Sequence, residues 1–581
     1  MPHTQPAVHG RSAGIRALTC CVSIGLMLSL AAGGCHPSAS STLSYPQSAP
    51  ETVKAGGYVS VVDGKDVPPP NIPMGDPETI RRILEEGQHN NHVMDNMTYL
   101  TQKIGPRLTG SANAEAANRW TLERFKSWGL NADLYKWGEV KVRFDRGPSY
   151  GKTFTAHEKK NEDGTTETEW VAGRDFELTT LAWSRGTDGP VKGPVVRVPE
   201  TEEEYAKVKD KLKGAWVLLK PMDVRGRTGV RGPGGAVGER MKHRQEARAK
   251  VGSGTSVTEI PLEDRVIFDG ILGFISTPKD VKDRIWTTAY PQWREKNLED
   301  FAPDTEAIVR LSDYDYINSR LTDGDQFVVE LDLENKFTKG PFPTYDTIAE
   351  IPGTTWPDQV VVVCGHLDSW NGPGSQGATD NGTGSMVALE AARILSAAHV
   401  KPKRTIRFCL WTGEEQGLLG SKEYVKSLGD KVQKISAVFN DDGGTNYEGG
   451  LKATKDMVQT LAAATAPVNY LFVDSADGKP MTVNVQTVEK FPRAGSSDQY
   501  SFVEVGVPGF FWDEVGRADY SWGWHTQHDR LDLAIPEYLA QSATCAAVTA
   551  YNMACTPELL PRVPQPPKGE DGPERPRRPR N

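Results

Sequence analysis

The hydrophobic pattern of this chain changes character twice. From residue 77, apolar positions recur at helical spacing: Ile80, Ile83 and Leu84, then Val93, Met94, Met97 and Leu100. Residues 113–128 read as an amphipathic helix, with Gly129 placed to cap its C-terminus. Between about 145 and 325 short β-like runs (191–198, 215–219, 270–276 and 307–311) stand apart, separated by long polar stretches. From 326 the texture becomes α/β. Val360-Val361-Val362-Val363-Cys364 is continuously apolar, as a strand buried on both faces requires. A helix is expected over 384–398, a strand over 405–411, a helix over 420–428 and a strand over 435–439. A helix over 457–464, a strand over 507–512 and a long helix over 536–554 complete the alternation. The pattern predicts an α/β fold, a mainly parallel twisted sheet flanked by helices, interrupted by a small β-rich inserted domain.

The organisation that follows is a leader over 1–35, a tether over 36–75 rich in Ser, Pro and Gly, and an N-terminal part of the main domain over 76–145. The insert covers 146–325, the main domain 326–556, and a Pro- and Arg-rich disordered tail 557–581. The leader has His9, Arg11 and Arg16 ahead of an apolar run over 17–32. That run falls short of the ~20 residues a membrane-spanning helix needs, so it reads as an export signal. Leu30-Ala31-Ala32-Gly33-Gly34-Cys35 resembles a bacterial lipobox, with Ala32 where Leu is usual. Cys35 would then be the lipidated mature N-terminus. Cleavage after another small residue and an uncleaved helix are the alternatives. The expected location is the bacterial cell envelope, lipid-anchored or periplasmic, or the secreted fraction.

Composition narrows the function classes. Of 581 residues, 38% are hydrophobic and 25% charged, which fits a globular chain. The net charge of −9 is the wrong sign for a dedicated nucleic-acid binder. Seven cysteines are too few for a disulfide scaffold. The Gly- and Arg-rich stretch over 223–254 reads as a solvated loop with one exposed helix, a polyanion-binding patch being the alternative.

The chemistry-bearing residues stand where the predicted strands end, where open α/β sheets bind ligands. His366 and Asp368 follow the first strand, Asp380 precedes a helix, Glu414 and Glu415 follow the second strand, and Asn440-Asp441-Asp442 follows the third. His525 and His528 sit in Trp524-His525-Thr526-Gln527-His528-Asp529. A His after a strand, an Asp-Asn-Gly turn or a Glu-Glu pair is ordinary alone; their coincidence at successive ends of one sheet is not. Histidine and carboxylate are the donors for zinc and similar divalent ions. Such a set can hold two ions, and adjacent Glu414 and Glu415 point differently, so one can bind metal while the other serves as general base.

These residues resemble a known family. His366-Leu367-Asp368-Ser369-Trp370, Gly377-Ala378-Thr379-Asp380-Asn381-Gly382 and Leu410-Trp411-Thr412-Gly413-Glu414-Glu415-Gln416-Gly417 are similar to motifs of the zinc-dependent co-catalytic exopeptidases. That family includes aminopeptidases, glutamate carboxypeptidases and the transferrin receptor. Lys401-Pro402-Lys403-Arg404-Thr405 and Gly105-Pro106-Arg107-Leu108-Thr109-Gly110-Ser111 also resemble it. The resemblance spans roughly 80–555. It implies the zinc-peptidase/phosphorylase-like fold, a protease-associated insert, and two Zn²⁺ per chain, with other divalent metals as substitutes. By the same resemblance His366 and Asp442 bind one zinc, Glu415 and His525 the other, and Asp380 bridges them. Glu414 would be the catalytic base and Asp368 the acid that orients His366; Asp441 and His528 remain competitors for the last two ligand positions. Arg493 is a candidate anchor for a substrate carboxylate, and Trp522 and Trp524 are candidate pocket walls. Ser497-Asp498 resembles a family turn beside the site. The implied activity is hydrolysis of short peptides or dipeptides by a metal-bridged water activated by Glu414, from either terminus. A same-fold amidohydrolase or glutaminyl cyclase-like enzyme, and a non-catalytic receptor-like module, are the rivals. The expected partners are a peptide substrate, no nucleic acid, the membrane only through Cys35, and a second copy of the chain in a homodimer.

Overall fold

The computed structural model describes residues 57–565, apart from 224, 227–228, 231–233, 287 and 494–496. The leader with Cys35, and most of the tether and tail, therefore lie outside the described residues. Among those described, no helix is long and apolar enough to cross a membrane.

The central sheet has eight strands of mixed direction. Its parallel part runs Gly509–Phe511, Ile435–Asn440, Trp356–His366, Arg404–Trp411 in spatial order. The continuous apolar run is explained by alternation: Val361 and Val363 enter the large core under the helices Thr383–Ala397 and Pro536–Cys555, while Val360, Val362 and Cys364 enter a second core with Tyr424, Val425 and Phe502. Beyond Arg404–Trp411 the sheet turns antiparallel through Phe327–Ile351, Asn131–Lys160 and Thr166–Phe176. The first two are 25 and 30 residues long, and they carry the pairing from the main sheet out to the inserted region.

The inserted region builds its own five-stranded sheet, ordered Leu178–Thr179, Glu306–Val309, Gly273–Ser276, Trp216–Leu218, Val195–Arg197. All neighbours but the first pair are parallel. The basic stretch is not simply solvated. It forms the helix Gly234–Gly252, which buries Val237, Met241, Ala247 and the whole of Arg244. Arg244 and Arg240 both pair with buried Glu306, and Arg248 pairs with Asp304.

Both expected ends of the chain are corrected in part. Residues 57–75, assigned to a tether, contain the strand Ser60–Val62, which pairs in parallel with Asn484–Val488. Val61 and the Ser60 hydroxyl, bonded to Ala462 O at 2.7 Å, tie it down. Residues 557–565, assigned to a disordered tail, dock instead: Leu560 and Val563 are buried, and Arg404 donates to Thr556 O and Pro557 O. Two leucines and one valine in nine residues leave no period to read, yet Leu560 and Val563 join the large core.

Candidate metal centre

Four loops converge at the carboxyl end of the parallel strands. His366 ends Trp356–His366; its main-chain carbonyl accepts from Ser385 Oγ at 2.6 Å. Asp380 lies just before the helix Thr383–Ala397, in a turn pinned by Asp529, whose carboxylate accepts from Thr379 N at 2.5 Å and Asp380 N at 3.3 Å. Glu414 and Glu415 follow Arg404–Trp411 through Gly413, which sits at φ 79°, a conformation that favours glycine. Asp442 follows Ile435–Asn440. There Gly384 lets the helix approach so closely that a Cβ would lie 2.1 Å from Asp441 O.

The side chains form two groups of three that share one carboxylate. His366, Asp380 and Asp442 place their donor atoms within 4.8 Å of one another, as do Asp380, Glu415 and His525; among the described residues these are the only such groups. His366 Nε2 is 3.0 Å from Asp442 Oδ1 and 3.4 Å from Asp380 Oδ1. His525 Nε2 is 3.0 Å from Glu415 Oε2 and 3.2 Å from Asp380 Oδ2. Asp380 thus offers one oxygen to each side. Glu414 is in neither group, but its Oε2 lies 4.0 Å from His366 Nε2.

The competitors separate by direction. Asp441 turns away toward Glu514, and burial pushes it up to about 7. His528 stacks on Trp522 with ring centroids 4.1 Å apart and enters neither group. Trp522 is therefore engaged by His528, whereas Trp524 stacks on the His525 ring at 4.1 Å and Trp370 meets its edge at 5.8 Å. Arg493, the candidate carboxylate anchor, is corrected: its guanidinium reaches the docked C-terminal segment, donating from Nη1 to Pro564 O and from Nη2 to Gln565 Oε1. Asp368 is placed differently from a simple His partner. The closer contact to His366 Nδ1 is the Asp368 main-chain oxygen at 3.0 Å, with its carboxylate at 3.7 Å. That carboxylate accepts instead from Thr109 Oγ1 at 2.6 Å and from Glu414 N at 3.3 Å, bracing the Glu414 loop.

The electrostatics suit a cation. Burial raises Glu414 well above the usual carboxylate range, against the pull of His366 and with Asp442 and Glu415 adding to the push. Burial, with Asp380 beside it, pushes Glu415 up to about 7. Burial would lower the His525 imidazole, but Glu415 and Asp380 raise it to about 10. Crowded buried carboxylates interleaved with imidazoles are the donor chemistry of divalent ions. Glu415 Oε1, buried without a hydrogen-bond partner, fits an ion ligand.

Several contributors went unassigned by sequence reasoning. Arg107, fully buried, donates to Leu367 O and Gly377 O and joins the His366 and Asp380 loops. Thr109 stands in the same upstream motif, and Asp529 follows His528; both were visible as motif members without a role. Tyr520 had no signal. Burial and then the charges of Asp380, Asp442 and Glu415 hold its phenol well above its usual value.

Residues 346–550 match the model of peptidase family M28. This matched segment, similar to the M28 peptidases, contains every member of both groups. Two curated relatives are similar in sequence. Carboxypeptidase Q of Xenopus laevis is 30% identical over 272 residues, 47% of this chain and 54% of that protein. Aminopeptidase YwaD of Bacillus subtilis is 35% identical over 197 residues, 33% of this chain and 41% of that protein. The chain thus spans about half the length of the curated carboxypeptidase Q relatives it matches. In fold it is similar to a peptidase M28 precursor from Shewanella amazonensis, with a TM-score of 0.53 at 23% identity over 84% of this chain and 99% of that one.

Proposed function

We propose that the chain is a two-zinc exopeptidase acting on short peptides or dipeptides. The observation that carries this reading is the sharing of Asp380 between two His/carboxylate groups, with a third, raised carboxylate at Glu414 beside them. When bound, a pair of divalent ions supplies an acidified water and a polarised scissile carbonyl. Glu414 accepts the proton of the attacking water at its carboxylate. Its raised pKa lets it hold that proton and deliver it to the leaving amine nitrogen. Asp368, through the Glu414 amide, keeps the base aimed at the reacting centre. The protonated Tyr520 hydroxyl is a neutral donor available to negative charge developing on the substrate. Trp370 and Trp524 wall the His525 side and offer apolar surface to a substrate side chain. The relatives' names, a carboxypeptidase and an aminopeptidase, agree on terminal cleavage and differ on the terminus.

The test is hydrolysis of a panel of dipeptides and N-blocked and C-blocked peptides, with zinc and after chelation, by wild type and Glu414→Gln. Turnover that needs zinc and falls about 10²–10⁴-fold in Glu414→Gln with zinc retained supports the reading. The blocked peptides assign the terminus. A protein that binds two zinc ions and cleaves no peptide sinks the peptidase reading and favours an amidohydrolase.

A further inference from the structure

The two groups are held by different parts of the molecule. His366 and Asp442 are fixed from within the main domain, through Ser385 at the His366 carbonyl, Cys364 O accepting from Asp441 N at 3.0 Å, and Asn381 donating to Asp441 O at 2.7 Å. The loops of Glu415 and His525 are gripped by the inserted region instead. Gln416, next to Glu415, accepts from Trp293 Nε1 at 3.0 Å, and Trp293 is stacked on buried Trp183 at 3.6 Å.

The grip on the His525 loop is broader. Gln527, buried two residues after His525, accepts from Ile285 N at 2.7 Å and donates to Asp283 O at 3.2 Å. Trp286 forms a β-bridge with Thr526, and its ring meets Trp524 edge-on at 5.9 Å, on the residue that stacks on His525. Trp286 is itself locked by its Nε1 bond to Asp280 Oδ2 at 2.9 Å. A second tie runs from Arg284, which donates to Ser521 O at 2.6 Å. Asp283, Arg284, Ile285, Trp286 and Trp293 of the insert thus touch both loops that carry the Glu415/His525 group, and none of these bonds reaches the His366/Asp442 end.

We infer that the insert, through Gln527 and Trp293, is the positioning element for one of the two metal positions. The Glu415/His525 ion depends on the insert, and the His366/Asp442 ion does not. The inference rests on the two-metal reading above. His525 holds a left-handed backbone at φ 56°, a conformation that costs a non-glycine residue strain. A loop in that state keeps its ligand aimed only while its neighbours hold it, and Gln527 is the neighbour bonded to the insert.

The experiment titrates the full-length apo-protein with zinc against a chromophoric chelator, with metal content read after dialysis. The variants are Gln527→Met, which keeps side-chain length and removes both bonds, and Trp293→Phe, which keeps the stacked ring and removes the donor. Wild type is expected to hold two ions. Each variant should weaken one by about tenfold and leave the other unchanged, the range seen when a bond that orients a metal ligand is removed. Gln527→Glu, which keeps the acceptor for Ile285 N, should recover part of the loss. In a His525→Ala background, Gln527→Met should change nothing further; with Asp442→Asn it should remove the last tight ion. Two ions held at wild-type affinity in both variants, or both weakened equally, overturns the inference while leaving the two-metal reading standing. A folded wild type that takes a single ion overturns that reading and this inference together.

Discussion

Two regions of this molecule use parallel strands, and they treat buried charge in opposite ways. At the carboxyl ends of the main sheet, Asp380, Asp442, Glu414 and Glu415 crowd around two imidazoles, with acid in excess. In the insert, the strand Glu306–Val309 is as deeply buried, but its one acid faces two guanidiniums, Arg240 and Arg244. These arginines hold Glu306 below the usual carboxylate range despite its burial. Isolated buried charge is costly in any fold. The insert pairs its buried acid internally with guanidinium in excess, and Arg244 also lies over the Phe274 ring. The main domain leaves acids that repel one another, and a bound cation would settle them. Strand architecture alone therefore does not make a binding site; an uncompensated set of donors does.

The sharpest way to break the comparison is Asp380→Asn. It removes the one carboxylate shared by both groups and is expected to cost both ions and all zinc-dependent hydrolysis, read by metal analysis and turnover together. An Asp380→Asn protein that keeps both ions would mean that the groups are independent. Next is Glu306→Gln, which strands Arg240 and Arg244 in the insert. It should cost about 3–5 kcal/mol, measured by denaturant unfolding. A cost below about 1 kcal/mol, the range of an exposed pair, would show that water reaches the arginines and that Glu306 is not a buried partner of both.

The pH dependence separates the two regions by sign. Glu306 is lowered in the fold, so its stabilisation is present above the ordinary carboxylate value and is lost as pH falls through the lowered one. Glu448 in the main domain is fully buried beside Asp441, and burial raises it well above its ordinary value of 4.5. Its contribution is therefore favourable in acid and is lost as pH rises. Glu448→Gln should raise stability at pH 8 by about 1–3 kcal/mol and leave it nearly unchanged at pH 4, by unfolding at the two pH values. A larger gain in acid would reverse the assignment. The smallest effect is expected at Arg493→Ala. Its donors serve Pro564 and Gln565, so KM for every peptide should stay at the wild-type value. A raised KM for substrates with a free carboxylate would restore it as an anchor.

Much of the fold was legible because strand and helix periods are local. A run such as 360–364 is what a strand buried on both faces requires, and the two cores on either side of it bear that out. The candidate ligands were legible for a related reason: His366, Glu414, Glu415 and Asp442 stand at or just after the end of such a run, Asp380 precedes a helix, and together with His525 they resemble one family's motifs. Local spacing does not say where a side chain points. Asp441 and Asp442 differ by one residue, and only packing turns the second toward His366 and the first toward Glu514. His525 and His528 are sorted by which tryptophan each ring stacks on. The supports of the site come from far along the chain: Thr109 reaches Asp368 across 259 residues, and Ile285 reaches Gln527 across 242. Such pairings obey no period, since a hydrogen bond between distant loops is set by how two domains close on one another. The sequence determined the sheet, its helices and the donor types at the strand ends. Tertiary structure decided that Asp380 serves both groups, that Arg493 serves neither, and that one half of the centre leans on the insert.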